Sequence, residues 1–516
     1  MTRTLLSFLL LAAFLSCNDK SDSTDAMILE KGLDEPPEIL KLFDPELGPF
    51  YHGVASGDPL SHSVIIWTRV SVGHNQDILV DWEMATDSEM TNIVSKGQVK
   101  TSGTKDYTVK VDVGDLEPGS DYFYRFIYDG KKSIIGHTRT SGSDSQGRIN
   151  LAFASCSNYE WGYFNNYRLM SFDKSLDAVV HLGDYIYEYA PGEYGDTTLG
   201  RINYPPLEIK TLSDYRYRYS QYRTDADLMA AHQQHAFIAI WDDHESANNS
   251  YSEGAQNHNE GEGEWSQRMA WAKQAYYEWM PIRETEELYR RFEFGSLASL
   301  LMLDTRITGR TEQVEDMASA NFRDPNRHII GSQQFDWLCN GLSEDHTWKI
   351  IGNQVPFGPM INDLKKGIGR YMDGWDGYPV ERKKLVDFIK EKKLDNIIFL
   401  TGDYHSSFAF ETDMDGTEET GDNIAVEFVA QSINSANTNE YYEMDSVKYF
   451  ESRYKDFNPH LKYVNLRDHG YIKLKITPES CQADFLYSET VKRPSVGQRI
   501  GKSFRINSGK AELSEI

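Results

Sequence analysis

Ala178 to Tyr189 reads AVVHLGDYIYEY: an apolar run that breaks at Gly183, presents Asp184, and follows it three residues later with Tyr187. A few apolar residues ending abruptly in glycine or polar groups is the pattern of a strand covered on both faces. It recurs in INLAFASC (149–156), AFIAIWDD (236–243), LASLLMLD (297–304), WKIIGNQ (348–354) and NIIFLTGD (396–403). Helical stretches lie between these runs, notably Trp265 to Met280, which stops at Pro281. The alternation predicts an α/β or α+β body, whose functional groups sit beyond the carboxyl ends of the strands.

Upstream the pattern changes. SVIIWTRV (63–70), ILVDWEMA (78–85), YTVKVDV (107–113) and YFYRFIY (122–128) are short β-rich runs separated by turn residues such as Glu117-Pro118-Gly119. That spacing predicts a β-sandwich of about 90 residues, and DLEPGSDYFYRF (115–126) resembles a turn and tyrosine-bearing strand of fibronectin type III-like sandwiches. No chemistry is visible in it, so a positioning role is expected.

At the start, MTRTLLSFLLLAAFLSC has one basic residue and an apolar run too short to span a membrane, the shape of a signal peptide. Leu15-Ser16-Cys17 resembles a bacterial lipobox, with Cys17 as the lipid-attachment site; the polar NDKSDSTD that follows suits a tether. The alternative is an ordinary signal peptide cut nearby. The expected organisation is a signal peptide over 1–17, a tether over 18–47, a β-sandwich over 48–142, a catalytic domain over 148–490 and a tail over 491–516. An exported protein of the periplasm or cell surface, lipid-anchored to a bacterial membrane and otherwise soluble, is expected, and a monomer.

With 53 Lys and Arg against 79 Asp and Glu, the 516-residue chain carries a formal charge of −26. Such a surface repels nucleic-acid backbones and anionic lipid, so no nucleic-acid partner is expected. It leaves room for an anionic substrate, because bound cations reverse the field inside one pocket. Four cysteines are too few for a disulfide framework in a chain this long. Cys339 and Cys481 either pair or stay free.

Read in order, the strand ends carry Cys156; Asp184 with Tyr187; Asp242-Asp243-His244-Glu245; Asn353-Gln354; and Asp403 with His405. A lone Asp after an apolar run is usually a helix cap, and a free Cys is often a small buried hydrophobe. Thiol, phenol, imidazole and carboxylates at successive strand ends are another matter. Clustering them without a cation buries uncompensated charge at several kcal/mol each.

The local spellings resemble calcineurin-like metallophosphatases, and within them the PhoD-type alkaline phosphatases. HLGDYIYEY (181–189) holds a Gly-Asp-x-x-Tyr pattern shared with purple acid phosphatases. WDDHESANN (241–249) stands for Gly-Asn-His-Glu, and LTGDYHSSF (400–408) for Gly-His-x-His. VASGDP (54–59), FASCSN, WMPIR, LDTR and WDGYPVER (375–382) complete the likeness, over about residues 48 to 490.

The resemblance implies a layered αββα domain with two mixed sheets behind the sandwich, and hydrolysis of small phosphate esters by a metal-activated water. Asp184 suits a bridge between two cations. Cys156, Tyr187 and His405 favour Fe(III), and Asp403 with Asp243 or Asp242 favours one or two Ca²⁺, other divalent ions being possible there; one of the two neighbouring aspartates is expected to point away. His244 either protonates the leaving group or contacts the phosphate, or is structural, bonded to Glu245 or a backbone carbonyl. Asn353 is expected near the phosphate or metal, Asn248 and Arg306 as phosphate contacts, although Arg306 is equally suited to pair with Asp304 or another carboxylate nearby. Phosphomonoester hydrolysis is the first expectation, a phosphodiesterase or phospholipase D-like activity at the same site the alternative.

Overall fold

A computed structural model describes residues 33–142, 147–362, 369–412 and 423–516. The signal peptide, Cys17 and the first half of the tether lie outside the described residues.

Two sheets stack face to face. In the first, the strands Ile149–Ala154, Ala178–His181 and Ala236–Ala239 run parallel and in register, every residue buried. In the second, Ala298–Met302, Trp348–Asn353 and Ile397–Thr401 do the same, with Arg290–Phe294 antiparallel at one edge and Ser407–Thr412 with Leu461–Asn465 towards the other. Alternating side chains divide the second sheet between two cores. Leu300, Ile350, Ile398 and Leu400 meet Leu151, Val180 and Ile238 of the first sheet. Leu301, Ile351 and Phe399 face the opposite way, into a core with Leu338 and Leu385 from the helices Gly331–Leu342 and Pro379–Lys392. Helices Leu212–Arg223, opened by a Thr211/Asp214 capping box, and Trp265–Trp279 cover the outer face of the first sheet. This is the four-layered mixed architecture expected.

Two features depart from the expected organisation. The N-terminal sandwich has its own core, around Val64, Trp82, Tyr124 and Phe126, but only one of its layers is separate. The other layer, Val54–Gly57, Val64–Arg69 and Thr108–Val113, continues the first sheet, because Val54–Gly57 pairs in parallel with Ala236–Ala239. The segment expected as a tail is also built in. Gln498–Asn507 pairs antiparallel with Ser480–Ser488, and Ser514–Glu515 pairs with it in turn. An edge strand with open N–H and C=O groups is a liability, and this segment covers one. Cys339 and Cys481 are free and belong to different cores.

Candidate metal centre

The loops leaving these strands turn through a backbone conformation that few side chains adopt. Cys156, Asp184, Asp403 and His405 have φ of 62°, 55°, 63° and 59°. Each such residue costs on the order of 1 kcal/mol, and four at one end of a double sheet mark a site where geometry overrides local preference. Gly183 precedes Asp184 for a steric reason: at φ 98°, a Cβ there would lie 2.3 Å from the Asp242 nitrogen. The Glu245 carboxylate ties the two loops together, accepting from the backbone N–H of Asp184, Tyr185 and Asp242 at 3.1, 2.6 and 2.8 Å.

Three overlapping donor groups result, linked through Asp184 and Asp243. In the first, ligand atoms of Cys156, Asp184 and His405 lie within 4.8 Å of one another. The Tyr187 hydroxyl donates to Asp184 Oδ2 at 3.1 Å, lies 3.0 Å from His405 Nε2, and accepts from Ser435 Oγ at 2.8 Å. His405 Nδ1 is 2.8 Å from the Ala436 carbonyl, which accepts the Nδ1–H and so leaves the Nε2 lone pair facing the cluster. The second cluster holds Asp242, Asp243 and Asp403 within the same 4.8 Å span, and Asp184, Asp243 and His244 form a third group between them. Asp242 and Asp243 both point inward, against the expected alternation, because the strand has already ended at Ala239.

Burial, with the Asp184 carboxylate beside them, pushes the Cys156 thiol and Tyr187 phenol well above their ordinary range. Burial and the neighbouring Asp242, Asp243 and Glu245 do the same to Asp184. Asp403 is pushed up to about 6, burial outweighing the pull of Arg306. Asp242 Oδ2 and Asp243 Oδ1 are buried without a hydrogen-bond partner. Orphaned acceptors, a thiol, a phenol and an imidazole lone pair converging on small volumes are what a cation satisfies, so the residues present fit a pair of metal ions.

Several expected roles are corrected. The Arg306 guanidinium, fully buried, is consumed by the protein: Nε on Asp242, Nη1 on Asp373 at 2.7 Å and Nη2 on Asp403 at 2.8 Å. It is a counter-charge among carboxylates, the alternative expected for it, rather than a free phosphate contact; its partners are carboxylates other than Asp304, whose side chain accepts from the Arg306 backbone N–H at 3.0 Å. Asn353 is a strut, donating to the Val355 carbonyl and Thr401 Oγ1 and accepting from Trp375 Nε1 at 3.1 Å. Asn248 turns its amide to Gln256. His244 is held not by Glu245 but by Glu188, whose Oε2 is 2.7 Å from His244 Nδ1. Burial disfavours the charge on His244, yet Asp243, Glu188 and Asp184 together hold its pKa well above the ordinary value.

Glu188, Asp373 and Arg218 escaped the sequence reading. Glu188 stands in the quoted HLGDYIYEY run, next to Tyr187, and Asp373 just ahead of WDGYPVER. Arg218, fully buried, donates to the backbone carbonyls of Tyr187, Tyr189 and Tyr204, fixing the loop that carries Tyr187; no local signal marks it. Toward solvent the cluster is bounded by half-buried Asp403, His405, Tyr371, Tyr189 and Tyr194, with the other ligand candidates behind them.

Residues 151–485 match the family model of the PhoD-like phosphatases, and residues 42–142 that of their N-terminal domain. The chain is 36% identical over 490 residues to alkaline phosphatase D of Bacillus subtilis (strain 168), covering 91% of this chain and 82% of that protein. A solved structure of PhoD superposes with a TM-score of 0.82 at 36% identity, over 91% of this chain and 92% of the other. A purple acid phosphatase, PPD1 from yellow lupin, shares the fold at 13% identity, with a TM-score of 0.55 over 88% of this chain and 73% of its own.

Proposed function

The chain belongs to the PhoD-like phosphatase family, and on that premise we propose that it hydrolyses phosphate monoesters at an iron- and calcium-loaded centre. Cys156, Tyr187, His405 and Asp184 would hold Fe(III). Asp184, Asp243, Asp242 and Asp403 would hold Ca²⁺, their all-oxygen donors suiting a hard ion. The observation that carries this reading is the convergence of thiol, imidazole and carboxylate within 4.8 Å, with the Tyr187 phenol bonded to two of them. Bound cations would supply charge neutralisation for the phosphoryl oxygens and a nucleophile of lowered pKa.

The chain's own residues do the rest. Glu188 occupies Nδ1 of His244, so Nε2 is the nitrogen left to carry a proton to the departing alkoxide. The Tyr187 ring packs on His244 with centroids 4.3 Å apart, limiting its swing. Arg306 holds Asp242, Asp373 and Asp403 in place and offsets part of their charge.

Elemental analysis should find iron and calcium, in a protein coloured by charge transfer from Tyr187 or Cys156 to Fe(III). A colourless, active, zinc-only enzyme would refute the metal assignment. The monoesterase reading expects p-nitrophenyl phosphate to be turned over faster than its bis-ester or phosphatidylcholine; exclusive diesterase turnover would refute it. The reading extends to an exported monomer tethered at Cys17, acting on small esters and poorly on DNA at its −26 charge. Radiolabelled palmitate incorporation lost in Cys17→Ser tests the anchor.

A further inference from the structure

Aromatic rings lead from the ligand candidates to the surface in an unbroken series. The Tyr194 ring lies 5.6 Å from both Tyr187 and Tyr189, Trp161 lies 5.8 Å from Tyr194, and Tyr441 lies 6.2 Å from Trp161. Tyr194 also places its hydroxyl 3.2 Å from His405 Nδ1. Exposure rises along the series: Tyr187 is buried, Tyr194 and Trp161 are half-buried, and Tyr441 is 58% exposed. A single exposed tyrosine is ordinary. A contiguous aromatic wall that begins at the reacting centre and ends in solvent marks a binding surface. The wall is braced: a capping box between Asn437 and Glu440 fixes the turn before Tyr441, and Lys492 sits 4.8 Å from the centre of the Trp161 ring.

We propose that this wall is the subsite for the alcohol half of the ester, and that it selects phosphate esters whose alcohol carries a planar aromatic ring, packed on Tyr441 with Trp161 and Tyr194 behind it. The proposal rests on the hydrolase reading above and names its substrate class. Ring against ring favours offset or edge-on contact through the aromatic quadrupole, and Trp161 already meets Tyr194 and Tyr441 edge-on at 74° and 79°. A sugar would need free hydrogen-bonding groups along the wall. Here the Tyr194 hydroxyl lies 3.2 Å from His405 Nδ1, Lys492 donates to the Trp161 carbonyl and Asp196, and Trp161 Nε1, though unpartnered, is buried out of a sugar's reach.

The test compares 2-phenylethyl phosphate with 2-cyclohexylethyl phosphate on the metal-loaded enzyme, two primary-alcohol esters of similar size and leaving-group basicity. Glucose 6-phosphate serves as a third substrate. The expected result is a kcat/KM about fivefold higher for the phenyl ester, the ~1 kcal/mol an aromatic pair adds beyond its buried area. Tyr441→Ala should bring the ratio to about one, and Tyr441→Phe should keep it. Equal turnover of the two esters by the unaltered enzyme, a ratio unmoved by Tyr441→Ala, or preference for glucose 6-phosphate would overturn the proposal. Failure to hydrolyse any of the three would instead refute the hydrolase reading on which it stands.

Discussion

His244 and Asp184 separate the two things this site must do. Asp184 belongs to the group with Cys156 and His405 and to the group with Asp243 and His244, so Asp184→Asn should cut bound metal together with activity, by at least about a hundredfold in kcat; metal content and turnover measured on one preparation check this. His244 carries a proton rather than a cation in the reading proposed. Its loss therefore matters in proportion to the basicity of the leaving group. His244→Asn should lower kcat on an alkyl phosphate by about 10²–10⁴-fold, and much less on p-nitrophenyl phosphate, whose phenolate departs without a proton. Glu188→Gln should reproduce that substrate dependence in milder form, because the amide still accepts from Nδ1 without stabilising its charge. Equal losses on both esters would remove His244 from the acid's role.

Among the elements, the loops beyond the strands carry the strain and the clamps that offset it. Gly183→Ala would push a Cβ to 2.3 Å from the Asp242 nitrogen at a φ of 98°. Parting the two loops would cost about 2 kcal/mol or more and should appear as a lower urea midpoint together with reduced metal content. Deleting residues 491–516 is the complementary test. It would strip the Ser480–Ser488 strand of its outer partner, leaving only Gly470–Ile476 beside it, so a lower unfolding midpoint and aggregation at that edge are expected, seen by thermal melts with light scattering. A dispensable tail would leave both unchanged.

For the whole molecule, burial sets an acid limit. His52, His181, His232 and His235 are buried, and desolvation depresses all four from the ordinary 6.5, His181 to about 3 and His235 to about 4. They are neutral in the fold while the unfolded chain protonates near 6.5. Stability is therefore fully present above pH 6.5 and is lost as pH falls from there toward 4 and 3, by up to about 1.4 kcal/mol per pH unit for each histidine. Urea midpoints between pH 7.5 and 4.5 should fall steeply, and less steeply in His235→Gln; identical slopes would discount this histidine. None of these four was distinguishable in the sequence from an exposed one, since burial is contributed by partners far away, Ser220 for His52 and the Met170 carbonyl for His235.

Strand ends and their donor chemistry were legible in the chain itself. Apolar run length, the break at Gly183 and the identity of Cys156, Asp184, Tyr187, Asp403 and His405 are local properties, and a strand's end says where its next side chains can go. The partners of those groups were decided only by packing. Arg306 lies 64 residues from Asp242 and 97 from Asp403, and nothing near it in sequence distinguishes a guanidinium that binds phosphate from one that neutralises carboxylates. The same holds for Glu188 behind His244, for Asn353 as a strut, and for the sandwich layer that continues the first sheet. Each depends on which surfaces meet once both sheets have closed, and that is fixed by the sum of many long-range contacts rather than by any one stretch of residues.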